Sequence, residues 1–175
     1  MNAPTELPRP LAAVERAARQ RSVVDALVAE LPAYCVLWQP EDTRPYECDG
    51  LAMMRAVPLA VVLPETEEQV AAVLRICHRL AVPVVARGAG TSLSGGAMPN
   101  ADGVVLGMAK FNKVLAIDAQ ARTAIVQPGV RNLAISEAVA HLGLYYAPDP
   151  SSQIACTIGG NVAENSGGVH CLKYG

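Results

Sequence analysis

The sequence lacks several features that would each indicate a class of protein. No run of about eighteen apolar residues occurs in its 175 positions, so no membrane-spanning helix is predicted. Aromatic residues make up only 4%, and 14 basic residues are balanced by 16 acidic ones, so we expect no nucleic-acid partner. The first thirty residues mix Arg with Asp and Glu, unlike a secretory signal or a transit peptide. Together these absences predict a cytoplasmic protein.

Cysteine spacing excludes a further group of functions. The five cysteines are irregularly spaced without a Cys-x-x-Cys pair, and with the three histidines they match no zinc pattern. We therefore predict no metal site and no structural disulfide, and expect a reducing compartment.

What the sequence does contain is 51% hydrophobic residues, arranged as a succession of strands and helices. Val, Leu and Ala runs predict buried strands at 59–63, 82–86 and 103–108, with a hairpin at 114–118 and 123–127. The first two strands flank a helix that a Thr66–Gln69 capping box begins, which predicts a β-α-β unit with parallel strands. Other predicted helices are Leu11–Arg21, a second helix from Ser22 to Leu31, and Leu133–Leu142, which turns Ile135, Val139 and Leu142 inward and which Gly143 ends. Residues 38–50, with Glu47 and Asp49, are predicted as a solvated, irregular loop.

A glycine-rich stretch, RGAGTSLSGG at 87–96, directly follows the second predicted strand. Its exposed backbone N–H groups suit a phosphate, and an extended connector is the alternative. Leu93 occupies the third glycine position of the dinucleotide fingerprint, and Gly95, Gly96 and Pro99 prevent a helix from following. A nicotinamide-binding Rossmann module is therefore disfavoured.

A second glycine-rich stretch, YYAPDPSSQIACTIGGNVAENSGG, covers residues 145–168. It is expected to be too polar and too flexible for a core, with side chains that donate to phosphate or ribose oxygens. The presence of two such stretches in one short chain weakens the connector alternative.

The strand–helix–strand unit followed by these two stretches resembles the vanillyl-alcohol oxidase flavoprotein family. Within that family the sequence resembles the FAD-linked subunits of bacterial glycolate oxidases, and YECDGL (46–51), QPGVRNLAIS (127–136) and GGVHCLKYG (167–175) extend the similarity. D-lactate and D-2-hydroxyglutarate dehydrogenases share the pattern. The resemblance implies an α+β, PCMH-type FAD-binding domain at 46–175, preceded by an N-terminal helical segment at 1–45. That domain would comprise a small β-α-β lobe and the start of a second α+β lobe, truncated at its C-terminal end.

The same resemblance implies an FAD-dependent oxidoreductase that acts on 2-hydroxy acids, with glycolate as the expected substrate. Hydride would pass from the substrate to FAD, and electrons would continue to iron–sulfur partner subunits. Thr91 stands where some relatives carry a flavin-linked His, which implies non-covalent FAD. The implied cofactor contacts are Arg87, Gly88, Ala89, Gly90, Thr91, Ser92, Leu93, Pro148, Asp149, Ser152, Cys156, Thr157, Gly160, Asn161, Ala163, Asn165 and Gly168.

In this family the catalytic histidines belong to a substrate domain that follows the FAD-binding domain. The resemblance therefore implies that this chain is the N-terminal piece of a larger enzyme, and no catalytic residue is assigned, His170 included. A truncated, non-catalytic fragment is the alternative. An exposed apolar face is expected where the missing part of the domain would lie.

Overall fold

The computed structural model of the chain describes residues 13–174, so the predicted helix start at Leu11 lies outside it. The first helix, α1 (Ala13–Glu30), is continuous, and the predicted division into two helices at Ser22 is wrong. Val23, Val24 and Leu27 are buried and extend one apolar stripe past Ser22, which is itself exposed. Burial of that stripe outweighs the capping preference of an isolated serine.

Within the described residues, the main sheet consists of β1 (Val36–Leu37), β2 (Ala60–Val62), β3 (Val84–Arg87) and β4 (Val104–Gly107). The order of the strands in the sheet is β1-β2-β4-β3. β2 and β3 both pair in parallel with β4, whereas β1 is antiparallel to β2. The predicted parallel arrangement is confirmed, although β4 separates the two strands of the β-α-β unit.

Helix α3 (Glu67–Arg79) connects β2 to β3, and it follows α2, a single turn at Pro40–Thr43. The predicted cap by Thr66 is present, since the Gln69 N–H donates to Thr66 Oγ1 (3.3 Å), but Gln69 Oε1 accepts from the N–H of Glu65 (2.7 Å) instead of that of Thr66. Helices α1 and α3 share one core with β2 and β4. Its fully buried side chains include Val23, Leu27, Leu59, Val62, Val73, Ile76 and Val104.

Polar side chains of α1 hold the segments that enter the parallel strands. The Arg16 guanidinium donates to the carbonyl oxygens of Val57 (2.7 Å) and Ala101 (3.1 Å). Arg19 donates to the carbonyl oxygen of Ala81 (2.7 Å). These carbonyls precede β2, β4 and β3, so α1 anchors the amino ends of the sheet. The opposite, carboxyl ends are where open α/β sheets bind ligands.

The second lobe begins with the predicted antiparallel hairpin, β5 (Val114–Asp118) and β6 (Thr123–Val126). Helix α4 (Asn132–Val139) follows and runs into a 3₁₀ turn that ends at Gly143, whose φ of +69° gives the expected left-handed stop. Ile135 and Val139 are buried as predicted, but Leu142 is 39% exposed because the tighter 3₁₀ turn rotates it away from the α-helical stripe. Two short helices, α5 (Ile158–Glu164) and α6 (Cys171–Tyr174), complete the α+β arrangement.

The hairpin carries exposed apolar side chains. Leu115 and Ile125 are more than half exposed. Within residues 13–174 no helix is both long and apolar enough to cross a membrane.

Candidate functional site

The two glycine-rich stretches form the opposite walls of one cleft of about 570 Å³. One wall is the glycine loop, residues 88–96, which leaves the carboxyl end of β3. The other is the far wall, residues 150–166, which includes α5. Of the sequence-predicted contacts, those lining the cleft are Gly88, Ala89, Gly90, Thr91, Ser92, Leu93, Ser152, Cys156, Thr157, Gly160, Asn161 and Ala163. Arg87, Pro148, Asp149, Asn165 and Gly168 are not among the lining residues.

The two walls touch at Gly88 and Thr157. A Cβ on Gly88 would lie 2.2 Å from Thr157 Oγ1, so this approach requires a glycine. Thr157 Oγ1 is buried and finds no hydrogen-bond partner in the part of the chain that the structure describes. A buried hydroxyl without a partner costs free energy, which a polar ligand atom in the cleft would recover.

Arg87 lies against the glycine loop rather than projecting into the cleft. Its guanidinium donates to the carbonyl oxygens of Cys48 (2.7 Å) and Ala97 (3.1 Å). Its charged end also lies 5.7 Å from the centre of the Tyr46 ring. Gly90 has a φ of +72°, and a Cβ there would meet a guanidinium nitrogen of Arg87 at 2.2 Å. Arg87 therefore supports the loop. Position 90 favours glycine because its φ is positive and a Cβ there would displace the Arg87 guanidinium.

Asp49 is a residue that the sequence placed in a solvated loop, and that prediction is wrong. Residues 38–50 contain helix α2 and a 3₁₀ turn, and Asp49 is only 5% exposed. Its Oδ1 accepts from the Leu51 N–H (3.0 Å), and its Oδ2 accepts from the Gly95 N–H (3.0 Å). The second bond joins positions 46 residues apart, so no local sequence signal indicated it. Glu47 pairs with Arg55 instead of the glycine loop, and its side chain is 16% exposed.

The far wall lies outside the hydrophobic core cluster, as the sequence predicts for residues 145–168, but it contains buried polar side chains. Helix α5 begins directly after Thr157. The Asn161 amide donates to Asn132 Oδ1 (2.9 Å), and the Asn132 amide donates to the Pro148 carbonyl (2.9 Å). Asn132 and Asn161 are both buried. Polarity here does not prevent burial because these amides satisfy each other, and sequence reasoning missed Asn132 as a site-supporting residue.

Beyond the cleft, Asp149 and Gly168 come together in an isolated bridge. Gly168 has a φ of +71°, and a Cβ there would lie 2.3 Å from the Asp149 carbonyl. His170 Nδ1 lies 3.0 Å from Asp149 Oδ1. These three residues fix the end of the far wall and do not themselves face the cleft.

The cleft is lined almost entirely by uncharged residues. Among its lining residues within the described chain, Glu164 is the one charged side chain. No group of three His, Cys, Asp or Glu side chains between residues 13 and 174 is arranged to hold a metal ion. Burial raises the pKa of the Cys77 thiol to about 11 and raises that of the Tyr146 phenol, but neither residue lines the cleft. Backbone N–H groups and small hydroxyls can bind an anion here without a counter-charge.

A glycine-rich loop at the carboxyl end of a parallel strand, facing a polar wall across a cleft, is typical of a nucleotide-binding domain. Residues 58–175 match the FAD binding domain family, and the chain belongs to that family.

Curated relatives agree with this assignment. The chain is 64% identical over 154 residues to the glycolate oxidase subunit GlcD of Escherichia coli K12, a match that covers 88% of this chain and 31% of that protein. It is 45% identical over 130 residues to GlcD of Bacillus subtilis 168, covering 74% and 28%. D-2-hydroxyglutarate dehydrogenase of Xanthomonas citri pv. viticola is 37% identical over 150 residues, covering 86% and 32%. The chain thus spans about a third of the length of these relatives, and the resemblance to glycolate oxidase subunits is confirmed.

Solved structures confirm the expected fold. Alkyldihydroxyacetonephosphate synthase superposes with a TM-score of 0.77 at 22% identity, over 99% of this chain and 33% of that one. p-Cresol methylhydroxylase superposes with a TM-score of 0.65 at 26% identity, over 81% and 28%. The architecture is therefore the α+β, PCMH-type FAD-binding fold.

Proposed function

We propose that this chain is the FAD-binding portion of a flavin-dependent 2-hydroxy-acid dehydrogenase whose substrate is glycolate. The observation that carries the proposal is the cleft between the glycine loop and the far wall, where the buried Thr157 hydroxyl lacks a partner. The 64% identity to a glycolate oxidase subunit supports glycolate as the substrate. Matches at 37% and 38% to D-2-hydroxyglutarate and D-lactate dehydrogenases make those acids the alternative substrates.

The residues of the cleft fit FAD. In the proposal, the N–H groups of the glycine loop hold the pyrophosphate, because a loop poor in Cβ atoms allows close backbone approach. The hydroxyls of Ser152 and Thr157 donate to cofactor oxygens from the far wall. Arg87 contributes by shaping the loop. Pro148, Asp149, Asn165 and Gly168 contribute by fixing the course of the far wall.

When bound, FAD accepts the hydride removed from the hydroxyl-bearing carbon of the substrate. The chain's own contribution is to bind and orient the cofactor, and Glu164, the carboxylate that lines the cleft, is not assigned to the removal of the hydroxyl proton. We assign that proton transfer to residues outside this chain. The proposal keeps the division into an N-terminal helical segment (1–45) and an FAD-binding domain (46–175).

We further propose that the flavin is held non-covalently. Thr91 lines the cleft and offers a hydroxyl in place of an imidazole. Acid precipitation of the purified yellow protein should release all flavin into the supernatant. Flavin that remains in the pellet would contradict non-covalent binding.

Iron–sulfur partner subunits and a cytoplasmic location complete the proposal. Relatives are named as subunits, which supports assembly with other chains. Affinity purification from a soluble extract of the source cells should recover the protein with subunits that contain iron and acid-labile sulfide. Recovery of the protein alone, or only from the membrane fraction, would contradict these two points.

Anaerobic reduction of the flavin tests the function. The protein at its full natural length should show a flavin spectrum that glycolate bleaches faster than D-lactate or D-2-hydroxyglutarate. Faster bleaching by one of the other acids would instead assign the substrate to that acid. Residues 1–175 expressed alone should bind FAD without being bleached by any of the three. A full-length protein that remains colourless with added FAD would contradict the proposed function.

A further inference from the structure

A short segment between β1 and β2 contacts Arg87, which directly precedes the glycine loop, and the end of the loop itself. We call this segment, residues 46–50, the loop brace. At the start of the loop, the Cys48 carbonyl accepts from the Arg87 guanidinium, over which the Tyr46 ring lies. At the end of the loop, the Asp49 carboxylate accepts from the Gly95 N–H.

The middle of the loop also meets the brace. A Cβ on Gly50 would lie 2.8 Å from the Thr91 carbonyl oxygen, so the two backbones are packed without room for a side chain. The brace thus reaches the loop at three places. None of its residues lines the cleft, so it would not touch a cofactor bound there.

Asp49 is the central residue of the brace. Both of its carboxylate oxygens accept backbone N–H groups, one from Leu51, two residues further along the chain, and one from Gly95. Gly95 has a φ of +80°, a conformation that the loop adopts only where glycine or a specific contact allows it. Hydrogen bonds to a buried carboxylate are stronger than those between neutral groups. One such bond is therefore well placed to select the conformation of the loop at Gly95.

We propose that Asp49 is a positioning residue that holds the glycine loop in its FAD-binding conformation and so sets the affinity for FAD without contacting it. This inference rests on the proposed function. The affinity of a ligand falls in proportion to the fraction of protein in the competent conformation. Loss of the Asp49–Gly95 bond lowers that fraction, and the apparent Kd for FAD rises accordingly.

Two variants of Asp49 and one neighbouring control test the proposal in the protein at its full natural length. Asp49→Ala removes both acceptors, whereas Asp49→Asn keeps one acceptor and presents an amide donor to the other N–H. The control, Glu47→Gln, changes a carboxylate of the same segment that pairs with the exposed Arg55 and makes no contact with the glycine loop among those the structure gives for it. The Kd for FAD is measured by fluorescence titration. Thermal unfolding and hydrogen exchange of residues 88–96 are measured without FAD.

Asp49→Ala should weaken FAD binding about 10-fold or more, as expected for the loss of a hydrogen bond to a charged acceptor. Asp49→Asn should lie between Asp49→Ala and the native protein, and it provides the test if Asp49→Ala does not fold. Exchange of residues 88–96 should accelerate in both variants and remain native in Glu47→Gln.

Native-like affinity and loop exchange in either Asp49 variant would overturn the inference. Equal weakening in Glu47→Gln would also overturn it, because that result indicates general destabilisation of the segment. A native protein that does not bind FAD would instead contradict the proposed function. Loop exchange would still decide whether Asp49 orders residues 88–96.

Discussion

The contact between Gly88 and Thr157 allows a quantitative test of how the two walls of the cleft meet. Gly88 does not have a positive φ, so alanine is compatible with its backbone, and a loss of stability in Gly88→Ala comes from the contact of its side chain. The new Cβ would lie 2.2 Å from Thr157 Oγ1, more than 1 Å inside an ordinary van der Waals contact. Thr157 has little freedom to move, because its carbonyl accepts from the Asn161 N–H (3.0 Å) and its hydroxyl is buried.

Overpacking of this kind costs about 1–3 kcal/mol, and we expect Gly88→Ala to lower the free energy of unfolding by about 2 kcal/mol. Urea unfolding without FAD measures this change. Removal of the hydroxyl should reverse it, because the next atom that the new Cβ would meet is Thr157 Cβ at 3.5 Å, an ordinary contact. The double variant Gly88→Ala/Thr157→Ala should therefore recover most of the loss, with a coupling energy of at least about 1 kcal/mol.

Gly96→Ala is the matched control. It lies in the same loop, and a Cβ there would meet no atom within 4 Å, so its unfolding free energy should stay within about 0.5 kcal/mol of the native value. Thr157→Ala alone should change stability little, since its hydroxyl makes no hydrogen bond within the described chain, but should weaken FAD binding about 3- to 10-fold. Additive effects of Gly88→Ala and Thr157→Ala on the free energy of unfolding would contradict the close contact between position 88 and Thr157 Oγ1.

Three other perturbations have defined outcomes. Gly90→Val should weaken FAD binding at least about 10-fold in a fluorescence titration, because a β-branched residue at a φ of +72° is strained and its Cβ displaces the adjacent guanidinium; native affinity would contradict the loop assignment. Asn161→Ala should lower the free energy of unfolding by about 1–3 kcal/mol, since Asn132 Oδ1 is left buried without its donor, and a smaller loss in urea unfolding would refute this role. The pKa of Cys77 is raised to about 11, so its stabilising effect should be lost as pH rises from about 9 to about 11, where the unfolded chain deprotonates first. In the native protein at pH 8, dithiobis-nitrobenzoate should label the exposed Cys171 well before Cys77, and equal labelling would contradict the burial of Cys77.

Periodicity in the sequence was sufficient to predict the main strands, the capped helix α3 and the hairpin. The signals are local there: Thr66 and Gln69 lie three residues apart, and β5 and β6 adjoin one turn. The position of β4 between β2 and β3 was not predictable in this way, because strand order depends on pairing between distant segments. The continuity of α1 through Ser22 depended on burial against the sheet, which likewise has no local signal.

In the candidate site, too, local features were predictable from the sequence, whereas contacts between distant segments were not. Both walls of the cleft were recognised from glycine content and from resemblance, and the structure brings them together. Asp49 was misjudged because its partner, Gly95, is distant in sequence. The buried pair Asn132–Asn161 was missed because its two members lie 29 residues apart. A polar residue was therefore predicted wrongly to be exposed where a residue distant in sequence forms a hydrogen bond with its side chain.

Competition for the cleft tests the central claim most directly. Apoprotein at full natural length should be titrated with FAD, with riboflavin, and with FAD in the presence of excess ADP. If the glycine loop binds the pyrophosphate, FAD should bind at least about 100-fold more tightly than riboflavin, since charge-assisted bonds to phosphate are lost. ADP, which carries the same diphosphate, should compete. Equal affinities for FAD and riboflavin, or a Kd for FAD that ADP leaves unchanged, would contradict an FAD site built on the glycine loop.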